Sequence, residues 1–430
     1  MKKTVIFLLA SGLLCPLAVF AQNLDWKTAD TYKKKDLKNQ LSARLGDYIK
    51  QNTATTAAQV KFGKNLAKEL RKYGAENIKT EKNGTVTAEI PANIKGNLPA
   101  VTFIALTQSQ AQHAKPQTHE NYTGGEIELS ASPRVTLDAY NAPQLTRAYG
   151  HDLFTTSGDA PLGAATKAGA AVLLTAVQYL DEHPTVSHGK VQLVFLPNTA
   201  ANLPFSPDTP YTYTLERGDF GEIFTENFSG KDFQIAFEGN RNFSLGEAVN
   251  SPFADNVLAA SDFHTLLPRA ARPETTTANR GFIYVDTIAH DGNKTKITGI
   301  VRAFSDEDVA NLSAEVTRAF NTVKALHNKV RNFSLEFKDT LQNRKEKISP
   351  QSLSMAEKAL RMEDIPVKIT VSRNETTAGA LAEKGYFFPA LFTGTYNADS
   401  EREYADLDVM ESSFRTVMRI ISQAAIATKK

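Results

Sequence analysis

Between Ala160 and Ala200 the chain reads APLGAATKAG, runs on as an apolar segment to Leu180, and after a short link enters VQLVFL and the turn Pro197-Asn198-Thr199-Ala200. Ala164 to Leu180 carries almost no charge, and a helix with no polar face is buried on most sides. Val191 to Leu196 is an apolar run of strand length, the pattern of a strand covered on both faces. A buried helix feeding a buried strand predicts an open α/β sheet, whose chemistry lies just beyond the carboxyl ends of its strands. The loops Gly163–Lys167 and Pro197–Ala201 are therefore expected to face a cleft. Neither holds a carboxylate, a histidine or a cysteine.

The first 21 residues have the form of a secretory signal: Lys2 and Lys3, an apolar core from Val5 to Phe20, and Val19-Phe20-Ala21 before Gln22. The apolar run is too short for a lasting membrane span, so an exported protein, periplasmic or secreted, is expected. The sole cysteine, Cys15, lies inside it, preceded by Leu14 rather than the small residue that lipid attachment asks for. The mature chain then has no thiol, which excludes disulfides, thiolate zinc sites and a cysteine nucleophile. Without Lys2 and Lys3, 47 basic side chains face 47 acidic ones. Such a balance leaves no electrostatic footprint for nucleic acid or a membrane surface.

Helices are expected from Leu24 to Ile49, with Leu37, Leu41, Leu45 and Tyr48 at helical spacing, and from Thr55 to Gly74. Strands are expected at 85–90 and 100–106. From about residue 231 to 343 the pattern changes to strands at 233–237, 281–288 and 296–304, a helix capped by Ser305, and a strand at 333–337. That order suggests an α+β layer inserted into the first domain. Ser349-Pro350 opens a further helix, 366–373 and 387–392 read as strands, and 407–428 as a closing amphipathic helix.

Seven segments in order resemble peptidase T, the dinuclear-zinc tripeptide aminopeptidase family: NGTVTAEIPAN (83–93), LPAVTFIA (98–105), ENYTGGEIEL (120–129), LFTTSGDAPLGAATKAG (153–169), GEIFTENF (221–228), IVRAF (300–304) and PALFTGTYN (389–397). The resemblance runs from near Trp26 to near Ile426. It implies a zinc-peptidase-like α/β catalytic-type domain from residues 22–229 and 344–430, with an α+β lid or dimerisation domain at 230–343 and peptide held between them. A homodimer through the lid is possible on that basis.

Most of the family's functional residues do not carry over. The first zinc histidine falls on Leu106 and its supporting carboxylate on Gln108; the bridging aspartate falls on Ala165. The general base and adjacent zinc ligand fall on Thr199 and Ala200. The next metal aspartate aligns with Glu216, the late zinc histidine with Asp399, and the lid histidine with Phe243. A hydrolytic dizinc centre needs several imidazoles and carboxylates, plus a carboxylate base beside the metal-bound water. Glu216 and Asp399 alone leave each ion one ligand and no bridge, so no catalytic residue, no metal site and no zinc cofactor is expected. Two facing carboxylates without a metal repel, and Lys167 or Arg402 is expected to compensate them.

Peptide recognition is the property that could survive. Arg302 and Arg373 align with arginines that face the substrate's carboxylate end in the family, and Asn397 belongs to the FTGxYN motif. The alternative for both arginines is pairing with local acids. The eight histidines show no spacing of a mononuclear site; His183 and His188 read as solvated link residues. The expected function is a non-catalytic, exported peptidase T-like protein binding short peptides or a protein partner. The alternative is an active metallo-aminopeptidase releasing N-terminal residues from tripeptides with relocated or borrowed ligands.

Overall fold

The helix from Ala164 to Glu182 lies against a mixed eight-stranded sheet. The computed structural model describes residue 26 and residues 33–109, 115–198, 201–204, 209–239, 254–277, 279–343, 345–373 and 376–426. The sheet order is Glu76–Thr80, Val86–Ile90, Val191–Leu196, Val101–Leu106, Tyr211–Glu216, Ala390–Phe392, Glu222–Glu226 and Lys368–Val371. Val191–Leu196, Val101–Leu106, Tyr211–Glu216 and Ala390–Phe392 run parallel to one another. The carboxyl ends of these central strands therefore open on one side.

Helix Ala164–Glu182 packs with Lys34–Ile49 and Leu407–Ala424. Leu37, Leu41, Leu45 and Tyr48 are buried on the first of these, as their spacing requires, although that helix begins only at Lys34. Trp26 is fully buried, edge-on to Tyr179 and Phe414. Gly169 lets the helix meet the sheet closely: a Cβ there would lie 3.0 Å from Leu215 and 3.2 Å from Ala105.

A second, antiparallel sheet has the order Phe282–Asp291, Lys294–Ala303, Ser229–Glu238 and Arg331–Leu341. Helices Asn256–Leu266 and Asp306–Leu326 pack on it around Phe233, Ile235, Ile297, Val301 and Val316, a core distinct from that of the first sheet. Ser305 caps the longer helix through the amide of Asp308. A small four-stranded sheet joins Thr395–Tyr396 to Tyr404–Asp406, and the connection between these two strands carries Asn397, Asp399 and Glu403. Among the described residues no helix is long and apolar enough to cross a membrane.

Strand Tyr211–Glu216 and helices Asn256–Leu266 and Thr377–Glu383 add to the elements read from sequence. The strand is polar in composition but buried, because its threonine hydroxyls find partners: Thr212 on Thr209 O and Thr214 on Glu216. His188 is buried rather than solvated, its Nδ1 2.9 Å from Gly189 O, and His183 stacks on Tyr179 at 4.1 Å.

Candidate functional site

The open ends of Val101–Leu106 and Tyr211–Glu216 meet the first turns of Ala164–Glu182 and Thr377–Glu383 and the 397–403 connection. Together they enclose a cavity of about 290 Å³. Leu106, Gln108, Ala165, Glu216, Asp399 and Glu403 all line it, together with Arg217. Five positions singled out from sequence, Leu106, Gln108, Ala165, Glu216 and Asp399, are thus brought to one hollow; Thr199, Ala200 and Phe243 lie outside the described residues. The floor is aliphatic where Leu106, Ala165 and Leu215 contribute it.

Two of the three acids in this cavity, Glu216 and Glu403, are spent on helix ends. Glu216 accepts the amides of Thr377 at 2.9 Å and Ala378 at 2.7 Å, and the hydroxyl of Thr214 at 2.9 Å. Glu403 accepts the amides of Gly163 at 2.7 Å and Ala165 at 2.8 Å. Each carboxylate therefore sits on the positive end of a helix and satisfies amides that have no partner inside it. Burial raises the carboxyl of Glu216, opposed by Ala378, Thr214, Thr377 and the nearby charge of Arg217. Burial likewise pushes Glu403 up to about 7, against the pull of the Ala165 and Gly163 amides, while Asp399 pushes it further up. Nothing in the spacing of Glu403 marks it as a helix cap 240 residues from Gly163.

The expected cation compensation is corrected by this geometry. Lys167 is fully buried, but its ammonium donates to the carbonyls of Tyr48 at 2.9 Å and Gln51 at 2.6 Å, at the C-terminal end of helix Lys34–Ile49. Burial lowers it to about 8. Arg402 donates to Thr136 O and Glu401. Helix amides take the place assigned to these cations because they are already aimed at the acids and need no second charge to be buried.

A pair of divalent ions does not fit the described lining. It offers three carboxylates and no imidazole or thiolate, and two of the three carboxylates have both oxygens taken by backbone amides. Elsewhere the structure gathers His151, Asp406 and Asp408, residues that no sequence spacing links. Their ligand atoms lie within 4.8 Å of one another, close enough to share an ion, and also meet other groups. His151 Nδ1 lies 2.7 Å from Asp406, whose other oxygen caps helix Leu407–Ala424. Asp408 takes Lys34 and Lys38.

A second cavity, of about 450 Å³, lies between the two sheets and is lined by both Arg302 and Arg373. Arg302 pairs with Asp232 at 2.9 Å, the local-acid alternative. Arg373 instead donates to Arg280 O and the Thr276 hydroxyl and lies over the rings of Phe282, at 5.3 Å, and Phe228, at 6.0 Å. Asn227, itself buried, lines the same cavity, and its Oδ1 has no hydrogen-bond partner among the described residues. Asn397 lines neither cavity; its amide donates to Asn141 O at 3.1 Å. Helix Thr377–Glu383 and its cap Thr376 form a wall common to both cavities.

No protein-family model matches the chain. Peptidase T of Clostridium acetobutylicum is 32% identical over 386 residues, spanning 85% of this chain and 92% of that protein. Peptidase T of a Geobacillus species is 30% identical over 406 residues, spanning 90% and 98%. The solved aminopeptidase PepT from Bacillus cereus superposes with a TM-score of 0.68 at 15% identity, covering 90% of this chain and 99% of the other. A tripeptidase from Staphylococcus aureus gives 0.70 at 13% identity with the same coverage. A dinuclear metal-binding peptidase from Bacillus subtilis gives 0.56 at 13%, covering 91% and 99%, and shares the fold. With that identity held along most of both chains and the same architecture beneath it, the chain belongs to the peptidase T family.

Proposed function

We propose that this chain is an exported, non-hydrolytic member of its family that binds short peptides between its two sheets. One observation carries the reading: where metals would sit, positions 106 and 165 present aliphatic surface and the buried acids Glu216 and Glu403 hold helix amides. Arg373, stacked on Phe282 and flanked by the open amide oxygen of Asn227, supplies charge and hydrogen-bonding capacity for a peptide in the larger cavity. The sheet of residues 229–341 would act as its lid. Export rests on Lys2, Lys3 and the apolar run to Phe20. A homodimer would use that second sheet, whose edge strand Phe282–Asp291 exposes Tyr284 and Ile288.

The test is a metal measurement joined to a binding measurement on the mature protein. Zinc far below one ion per chain, no release of residues from tripeptides, and a thermal shift with trialanine support the reading. A ligand at a hundred times its Kd stabilises by about 2.7 kcal/mol, so the shift is measurable. Stoichiometric zinc with hydrolysis refutes it, in favour of the active aminopeptidase. If no peptide shifts the transition, a protein partner becomes the better account. Sedimentation of the purified chain decides the dimer, and fractionation of producing cells decides export.

A further inference from the structure

Helix Thr377–Glu383 has seven residues, with Gly379 in its interior. A helix so short does not persist on its own hydrogen bonds, and glycine weakens it further. Its first turn is held from outside. Thr376 Oγ1 accepts Gly379 N at 2.8 Å, and the carboxylate of Glu216 accepts Thr377 N and Ala378 N. Glu216 reaches that turn from the end of a central strand, 161 positions away, and is 6% exposed. The same helix supplies Gly379, Ala380 and Glu383 to the wall of the larger cavity, with Thr376 and Lys384 at its two ends. Arg373 lies three residues before that cap.

We infer that Glu216 is a positioning residue: from the smaller cavity it fixes the first turn of Thr377–Glu383, and through that helix it sets the wall that the larger cavity offers to a ligand. A carboxylate in a former metal position thereby couples two hollows that have no lining residue in common. The inference rests on the larger cavity being the peptide site, but the fixing of the helix stands apart from it. The charge is essential, because two converging amides ask for an acceptor on each oxygen. An amide side chain offers one acceptor and turns a donor against the other amide.

The test compares Glu216→Gln with Asp255→Asn, which alters the cap of helix Asn256–Leu266 and lines neither cavity. Amide exchange by mass spectrometry reads the helix, and trialanine titration reads the cavity. Glu216→Gln is expected to speed exchange at 377–380 at least tenfold and to weaken trialanine at least fivefold, with Asp255→Asn changing neither. Should Glu216→Gln fail to fold, Glu216→Asp, which keeps the charge on a shorter stem, is expected to show a smaller change of the same sign in both readouts. Unchanged exchange at 377–380 in the folded variant overturns the inference, as does an equal effect from Asp255→Asn. Absence of trialanine binding in the unaltered protein overturns the peptide-site reading alone, since the exchange measurement still judges the helix.

Discussion

Glu403 Oε1 accepts the backbone amide of Ala165 at 2.8 Å, so a carboxylate is held at this position by the main chain rather than supplied by its side chain. The long helix Ala164–Glu182 has Gly163 at its N-cap, and glycine, with no side chain, leaves its first amides without a local side-chain cap. Glu403 supplies that cap from across the fold.

The burial of this carboxyl, which outweighs the pull of the amides it accepts, makes stability depend on pH. Glu403 is raised to about 7 from an ordinary 4.5, so the folded state binds the proton more tightly than the unfolded one. Its contribution is fully present below about pH 4.5 and is lost as pH rises through about 7, a loss on the order of 3 kcal/mol at most. Urea unfolding across that window should show a falling component that Glu403→Gln flattens. An unchanged slope in the variant assigns the dependence to another group.

His151 gives a dependence in the same direction, from an opposite cause. The hydrogen bond to Asp406 is first in raising it, ahead of an opposing burial. A histidine held above its ordinary 6.5 stabilises the fold below that value, and the gain is lost as pH rises through the folded value. Proton NMR of the imidazole should place its midpoint above the ordinary 6.5, and Asp406→Asn should bring it down.

Lys167→Met is expected to destabilise. It strands the carbonyl of Gln51, at roughly 1–3 kcal/mol for a buried acceptor, and takes one of two donors from that of Tyr48, which keeps the amide of Gln51, while relieving a buried ammonium. A net loss of about 1–3 kcal/mol should appear as a lower urea midpoint with an unchanged slope. A gain in stability would mean that the buried charge costs more than its two carbonyl contacts return.

Arg373→Lys should weaken trialanine about tenfold while leaving the fold intact, because an ammonium cannot stack on Phe282 while donating in two directions as a guanidinium does. Calorimetric titration checks this, and equal affinity removes Arg373 from the site. Leu106→His together with Ala165→Asp should raise zinc uptake over the unaltered chain, since both positions line one cavity. Unchanged uptake would show that the helix-bound acids close the hollow to metal.

Much of the architecture was legible in the chain itself. Helix Ala164–Glu182 and strand Val191–Leu196 stood out because burial on most sides requires long apolar runs. The aliphatic floor was also readable, since Leu106 and Ala165 cannot ligate whatever surrounds them. Thr377–Glu383 was not, being too short for helical periodicity to register, and Tyr211–Glu216 was hidden by its threonines.

The sequence by itself determined which groups are present: apolar segments that must be buried, and acids, amides and cations in particular numbers and order. Only the tertiary structure decided what those groups answer to. Glu216 and Glu403 turned to helix amides and Lys167 to helix carbonyls because a buried charge takes whichever complementary dipole the packed chain brings within hydrogen-bond reach. That choice is made by elements up to 240 residues apart, and no local pattern records it.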